Sequence, residues 1–272
     1  METLTVTIRG IRVGYREAGR PDGKPLVLLH GFTGSSAAWT AIAADLGEYR
    51  LIMPDLTGHG NTEAPGAPAR YAMEEQVSDL DALFTRLGLE RFSLLGYSLG
   101  GRIAIGYAAA HPEKVSRLIL ESTSPGLRTG DERRERRESD GKLAAFIERE
   151  GILAFTDRWE NIPLFASQKR MPEHVRQRVR RGRLGNDPAG LAGSLRGIGT
   201  GSQPSYWESL EHFSMPVTLI TGTLDVKYVK IAADMVRRLP DVHHVTVQDA
   251  GHTVHVENPA RFATMVKEAL KP

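Results

Sequence analysis

Three side chains in this sequence have the types and the order needed to move a proton. Ser98 sits in "LLGYSLGGR" (94–102), between Gly96 and Gly100 and directly after an apolar run. A serine on a sharp strand-to-helix turn is exposed at the strand end, and glycines on both sides permit the close backbone approach that such a turn demands. The helix expected from Leu99 onward aims its positive end at the same point. An activated serine needs a base, and the base needs an acid to orient it. In sheets that carry this kind of turn, the acid follows a later strand and the histidine comes last. Asp225 lies three residues beyond the apolar run that ends at Gly222, and His252 follows Gly251 in "DAGHTVHVENP". The order Ser98, Asp225, His252 therefore fits a triad.

Two rivals compete for these roles. Asp249 could serve as the acid, but its place beside the histidine suits a turn former. His255 could serve as the base, but it lies on the approach to the helix expected near Pro259, where packing or capping explains it. His252 is preferred because glycine–histidine at a strand end frees the imidazole to turn inward. Such chemistry also needs two backbone N–H groups aimed at one oxygen. Leu99, next to the serine, and Phe32, in "HGFTGS" (30–35), are the expected donors. His30 and His59 read as braces of their loops.

The elements that must position these groups can be read from periodicity. Residues 3–9 and 11–17 predict two strands joined by a turn at Gly10. Continuous apolar runs at 25–31, 49–56, 91–98, 115–122 and 216–222 predict strands buried on both faces, and 243–252 a last, more alternating one. Helices are expected at about 36–46, 71–88, 99–111, 228–239 and 259–270. Strand and helix alternate, so the fold class is α/β, with an eight-stranded, mainly parallel sheet flanked by helices. Between about 127 and 210 the alternation fails. Strong strands are missing there and helical patches such as "PEHVRQRVRRGR" replace them. This segment is expected to be a helical cap over the sheet's C-terminal edge, with residues 1–126 and 211–272 forming the core.

Composition narrows the chemistry further. The chain has 272 residues, 40% hydrophobic and 25% charged, which is ordinary for a globular protein. It has no cysteine, which excludes disulfides, thiolate metal sites and cysteine nucleophiles. The N-terminus reads as a strand with no apolar leader, and no apolar run reaches the roughly 18 residues of a membrane span, so no membrane insertion and a cytoplasmic location are expected. No phosphate-binding glycine motif is present. The adjacent His243 and His244 would face opposite sides of a strand and cannot clamp a metal alone, so no metal and no cofactor are expected. Net charge is only +2, but residues 128–205 hold 16 Lys+Arg against 11 Asp+Glu. Such a basic cap can mean nucleic acid, an anionic small molecule or a solvated helix face, and the lack of interleaved aromatics weakens the first, so no nucleic-acid partner is expected.

The serine turn, the HGF loop and the terminal G-H-x-x-H-x-E-N-P resemble the α/β-hydrolase superfamily over nearly the whole chain. "GYSLGGR", "ESTSPGL" (121–127), "RRERRESD" (133–140), "RWENIPLFASQ" (158–168) and "SLRGIGTGSQPSYW" (194–207) resemble more narrowly the 2-succinyl-6-hydroxy-2,4-cyclohexadiene-1-carboxylate synthase family of menaquinone biosynthesis. The resemblance implies a lyase that expels pyruvate from a substrate with three carboxylates. It also implies substrate contacts at Arg102, Arg136, Arg183, Tyr97 and Trp159. Arg178, Arg180 and Arg181 lie close enough to Arg183 to compete for its place. Oligomeric state is left open. Two other readings stay open with the same residues: a serine carboxylesterase or C–C bond hydrolase, and a ligand-binding member of the fold without catalysis.

Overall fold

The structure, a computed structural model, describes residues 1–271. Eight strands form one sheet in the order β1-β2-β4-β3-β5-β6-β7-β8. They are β1 (Leu4–Ile8), β2 (Ile11–Gly19), β3 (Pro25–Leu29), β4 (Arg50–Pro54), β5 (Phe92–Tyr97), β6 (Val115–Glu121), β7 (Val217–Gly222) and β8 (Val242–Val247). β2 runs antiparallel to both β1 and β4, and all other pairs are parallel. The turn between β1 and β2 places Arg9 and Gly10 at positive φ, 44° and 85°, the backbone of a tight hairpin. Leu26 to Leu29 of β3 are fully buried, as a strand covered on both faces requires.

The helices are α1 (Thr40–Ala43), α2 (Met73–Arg86), α3 (Leu99–Ala110), α4 (Gly130–Trp159), α5 (Glu173–Leu184), α6 (Pro188–Ile198), α7 (Val226–Val236), α8 (Val254–Glu257) and α9 (Pro259–Ala269). Residues of α2, α3 and α7 pack with one apolar cluster of the sheet, and those of α1, α8 and α9 with the other. The segment between β6 and β7 carries α4, α5, α6 and the 3-10 turn Pro163–Arg170. It has a small core of its own, built from Ala144, Ile147, Phe155, Leu191, Ala192 and Leu195. Ile198, Trp207 and Leu210 already belong to the sheet's core.

Three elements differ from expectation. The helix expected at 36–46 is a 3-10 turn, Ser36–Trp39, followed by the single turn of α1. β8 stops at Val247, five residues early, because Asp249 turns the chain with φ 60°. The cap also holds a helix longer than the patches expected there: α4 runs through the "RRERRESD" stretch, started by a reciprocal capping box between Thr129 and Glu132. Gly151, at φ 78°, breaks it internally. Among the described residues no helix is long and apolar enough to cross a membrane.

Candidate active site

The turn between β5 and α3 holds Ser98 at φ 50°, ψ −107°. A non-glycine residue in that region stores of order 1–3 kcal/mol of strain, and its neighbours hold it there. Ser98 N–H donates to Glu121 O at 2.9 Å and Arg102 N–H to Ser98 O at 3.0 Å. A side chain on Gly100 would meet Leu29 O at 2.1 Å, and one on Gly96 would meet Gly100 O at 2.5 Å. The glycines around the serine are thus required by contact as well as by the turn.

His252 Nε2 lies 3.1 Å from Ser98 Oγ, and His252 Nδ1 lies 2.7 Å from Asp225 Oδ2. Both side chains of the histidine–aspartate pair are almost fully buried, 1% and 4% exposed. The carboxylate can only accept, so Nδ1 carries the proton and Nε2 faces the serine with its lone pair. The loop that carries His252 is clamped by Glu257, whose carboxylate accepts from Gly251 N–H at 2.7 Å and Thr253 N–H at 3.2 Å. The rivals are occupied elsewhere. Asp249 is exposed on its turn. His255 is buried, with Nδ1 2.7 Å from Glu121 Oε2 and its ring 4.6 Å from that of Trp39.

Among the described residues neither the Phe32 nor the Leu99 N–H has a hydrogen-bond partner. Leu99 opens α3, where the first N–H groups have no partner within the helix. The Phe32 loop is braced from below. His30 Nε2 accepts from Leu56 N–H at 3.0 Å, so its Nδ1–H donates to Gly31 O at 2.8 Å. Asn186 donates to Thr33 O at 2.9 Å and ties the loop to the end of α5. His59 packs edge-on to Phe32, and burial pulls its pKa down from 6.5 to about 3, so it stands neutral.

The basic groups fall into two sets. Arg102, one turn into α3, is half-buried and gives Nη1 to Ile198 O at 2.7 Å and to Gln203 Oε1. No carboxylate lies within ion-pair distance of it among the described residues, and burial pulls its pKa down to about 10. Arg136 of α4 donates to Asp140 Oδ1 at 2.8 Å, while Asp140 Oδ2 is buried without a partner. The second set centres on α5. Arg183 is 6% exposed. Its guanidinium stands 4.8 Å over the Phe165 ring, gives Nη2 to Gln168 at 3.1 Å, and has its nearest carboxylate, Glu160, at 3.9 Å. A cavity of about 130 Å³ runs from Arg183 to Gly31, Phe32 and Tyr97. Of the competing arginines, Arg180 is bound to Asp157 and Glu160, Arg181 is exposed, and Arg178 is an exposed residue on the cavity wall.

Aromatic rings close the space between. Trp159 lies edge-on to Phe32 at 5.5 Å and stacks on Phe155, and its Nε1–H is buried without a partner. Tyr97 is buried against His252 and donates or accepts at Thr253 Oγ1, 3.0 Å away. Sequence reasoning missed Gln203, Gln168 and Tyr228. The last lies three residues after Asp225 on the first turn of α7, with its ring 4.6 Å from His252. Its i, i+3 spacing from the acid was the available signal. Among the described residues no cluster of His, Cys, Asp and Glu could hold a metal ion.

The arrangement can take a proton through Ser98 and His252, hold a developing oxyanion, and pair with carboxylates on two sides. The comparisons agree on a family. The alpha/beta hydrolase fold family matches residues 24–259. A Bacillus subtilis protein provisionally assigned as a 2-succinyl-6-hydroxy-2,4-cyclohexadiene-1-carboxylate synthase is 48% identical over 99% of each chain. The synthase of that name from Enterobacter sp. (strain 638) is 34% identical over 95% of this chain and 96% of its own. The solved structure of MenH from S. aureus superposes with a TM-score of 0.90 at 33% identity, covering 95% of this chain and 97% of that one. The chain therefore belongs to the α/β-hydrolase fold family and, within it, to the 2-succinyl-6-hydroxy-2,4-cyclohexadiene-1-carboxylate synthases.

Proposed function

We propose that this chain is a carbon–oxygen lyase of menaquinone biosynthesis. It expels pyruvate from 2-succinyl-5-enolpyruvyl-6-hydroxy-3-cyclohexene-1-carboxylate and leaves 2-succinyl-6-hydroxy-2,4-cyclohexadiene-1-carboxylate. The observation that carries this reading is Arg102. A half-buried cation with no carboxylate beside it, one turn from the triad serine, is costly unless the substrate supplies the anion. A neutral ester gives it nothing.

In this mechanism Asp225 holds His252 in the tautomer that accepts a proton at Nε2. His252 raises the basicity of Ser98, and Ser98 removes the proton from the ring carbon that bears the succinyl group. Charge moves to the succinyl carbonyl oxygen, where the N–H groups of Phe32 and Leu99 stabilise it as they would a tetrahedral oxyanion. Collapse of that enolate shifts the ring double bond and breaks the bond to the enolpyruvyl oxygen. Arg102, Arg136 and Arg183 each pair with a substrate carboxylate, for which the planar guanidinium is suited. Tyr97 and Trp159 wall the ring. No water attacks, no acyl-enzyme forms, and the substrate brings its own leaving group.

The hydrolase reading has one observation in its favour, the 3.1 Å contact between Ser98 Oγ and His252 Nε2, which also suits a nucleophile. One experiment separates the two. The enzyme is given the enolpyruvyl substrate, pyruvate and diene absorbance are followed, and quenched enzyme is weighed by mass spectrometry. The lyase releases pyruvate with Ser98 unmodified. Ser98→Ala, Asp225→Asn and His252→Ala should each lower kcat by roughly a thousandfold or more, and the triple variant should be little worse than the worst single one. A trapped acyl-Ser98 from this substrate, or full activity in Ser98→Ala, would refute the mechanism.

A further inference from the structure

Elimination from this substrate needs help at two distant atoms. The succinyl group stands on ring carbon 2 and the enolpyruvyl oxygen on ring carbon 5, directly across the ring. The proton is lost at one pole and the ether oxygen departs at the other. As the C–O bond breaks, that oxygen keeps the electron pair and becomes the enolate oxygen of pyruvate. Ser98, His252 and the two backbone donors act at the first pole. A hydrogen-bond donor aimed at the second would lower the barrier to departure.

Tyr228 stands where such a donor is needed. Asp225 ends one side of the triad, and α7 starts at the next residue. Tyr228 N–H donates to Asp225 O at 2.9 Å, which fixes the first turn. The Tyr228 ring lies 4.6 Å from the His252 imidazole, tilted by 51°. Its phenol is coupled electrostatically to Arg102 first among the charged groups around it, and also to Asp225 and Arg136. The tyrosine therefore lies beside the base and within electrostatic range of the cations on α3 and α4. Its hydroxyl has no hydrogen-bond partner among the described residues and keeps contact with solvent. Burial raises its pKa above the ordinary value, so at neutral pH it is a donor. Tyr97, the other tyrosine of the site, is committed to Thr253.

The two carboxylate-binding sides set the direction of the substrate. The oxyanion donors hold the succinyl carbonyl at Phe32, and Phe32 and Arg183 line one cavity, so the succinyl carboxylate is taken to lie toward Arg183. The opposite pole of the ring then faces Arg102, Arg136 and Tyr228.

We infer that Tyr228 is a further catalytic residue, whose O–H hydrogen-bonds to the enolpyruvyl ether oxygen and stabilises it as it leaves. The inference rests on the pyruvate-eliminating reading. The electrons and protons balance. The C–H bond at ring carbon 2 breaks and its proton passes through Ser98 to His252. The electron pair forms the enolate, then the new ring double bonds, and ends on the departing oxygen. The pyruvate enolate takes one proton from solvent and His252 returns one to solvent.

The test is Tyr228→Phe, which keeps the ring against His252 and removes one oxygen. The full-length enzyme turns over the enolpyruvyl substrate in deuterium oxide. Pyruvate release is measured, and recovered substrate is examined for deuterium at ring carbon 2. The expected kcat is lower by about 10- to 100-fold, with KM within about twofold and an unchanged melting temperature. Recovered substrate should gain deuterium that wild-type turnover does not introduce. Proton removal continues in the variant while departure stalls, so His252 exchanges its proton for deuterium and returns deuterium to ring carbon 2 through Ser98. A lower kcat without exchange would mean that both steps slowed together, as a merely structural tyrosine predicts, and would overturn the inference. So would an unchanged kcat, or a rise in KM alone. Failure of the underlying reading looks different, because the wild-type enzyme itself would then release no pyruvate.

Discussion

Replacing Arg102 by methionine separates two tasks that a cation can perform. Its guanidinium bridges Ile198 O and Gln203 Oε1, which is a structural task, and it is left without a carboxylate, which is a binding one. Burial lowers its pKa from 12.5 to about 10. At about 1.4 kcal/mol per unit, that disfavours the charged form by roughly 3 kcal/mol. Methionine keeps the packing of the aliphatic stem and removes this penalty. It also strips the donor from two acceptors, at about 1–3 kcal/mol each where they stay buried. The effects oppose each other and are of one size, so the melting temperature should shift by only about 5 °C in either direction. Activity has no such cancellation. Loss of a charge-assisted pair with a substrate carboxylate removes about 1.5–3 kcal/mol, or about 10- to 100-fold in kcat/KM. Arg102→Lys restores the charge but not the fork, and should recover only part of the loss. Calorimetry and a pyruvate-release assay measure the two quantities. Wild-type kcat/KM in Arg102→Met, together with a large fall in melting temperature, would make the arginine a strut between α3 and residues 198–203 and would refute its role as an anion partner.

The remaining expectations concern α4 and one buried histidine. Arg136→Ala should lower kcat/KM by about tenfold, whereas Arg134→Ala, at an exposed residue paired with neighbouring Asp131, should change it less than about twofold. Equal damage in both would remove Arg136 from the site. His59 stays neutral in the fold down to about pH 3, while its unfolded form takes a proton below 6.5. Its contribution to stability is therefore complete above pH 6.5 and is lost as pH falls toward 3, about 2–3 kcal/mol of it by pH 4.5. Denaturant unfolding at pH 7 and 4.5 should show His59→Gln losing less over that interval than the wild type, and equal losses would contradict the assignment.

What the sequence made legible was local. Gly96, Ser98 and Gly100 reveal the turn because backbone contacts as short as 2.1 Å exclude any side chain at Gly100. Asp225 and His252 are legible because each follows a strand end, and chain order does the rest. The choice among Arg178, Arg180, Arg181 and Arg183 was not legible beyond resemblance. It depends on which face α5 turns toward Phe165 and Gln168, a long-range fact that four arginines in six residues cannot encode by spacing. The early end of β8 was hidden because "QDAGH" continues a polar alternation, and only the positive φ of Asp249 reveals the turn. Tyr228 and Gln203 went unseen for a further reason. Tyr228 lies in none of the quoted motifs, Gln203 lies in "SLRGIGTGSQPSYW" without being singled out by its type, and each matters only through what the fold brings beside it.

A hydrolase triad and a lyase triad differ here in register rather than in parts. In both, a carbonyl oxygen sits between the Phe32 and Leu99 N–H groups and Ser98 Oγ stands below. For attack, the carbonyl carbon must lie over Oγ. For elimination, the neighbouring C–H must lie there instead, a displacement of about one bond length, which the triad itself cannot select. Catalysis depends on geometry at this scale. Anchors at both ends of the substrate can select it. Arg183 and Phe32 line one cavity, and Arg102 and Arg136 form a separate set on α3 and α4. A substrate whose carboxylates are held on both sides of Ser98 cannot slide to present its carbonyl carbon. On this reading the reaction is chosen by the arginines and by the elements that carry them. Two of those elements, α4 and α5, lie outside the sheet that builds the triad. The same core with different anchors would hydrolyse esters.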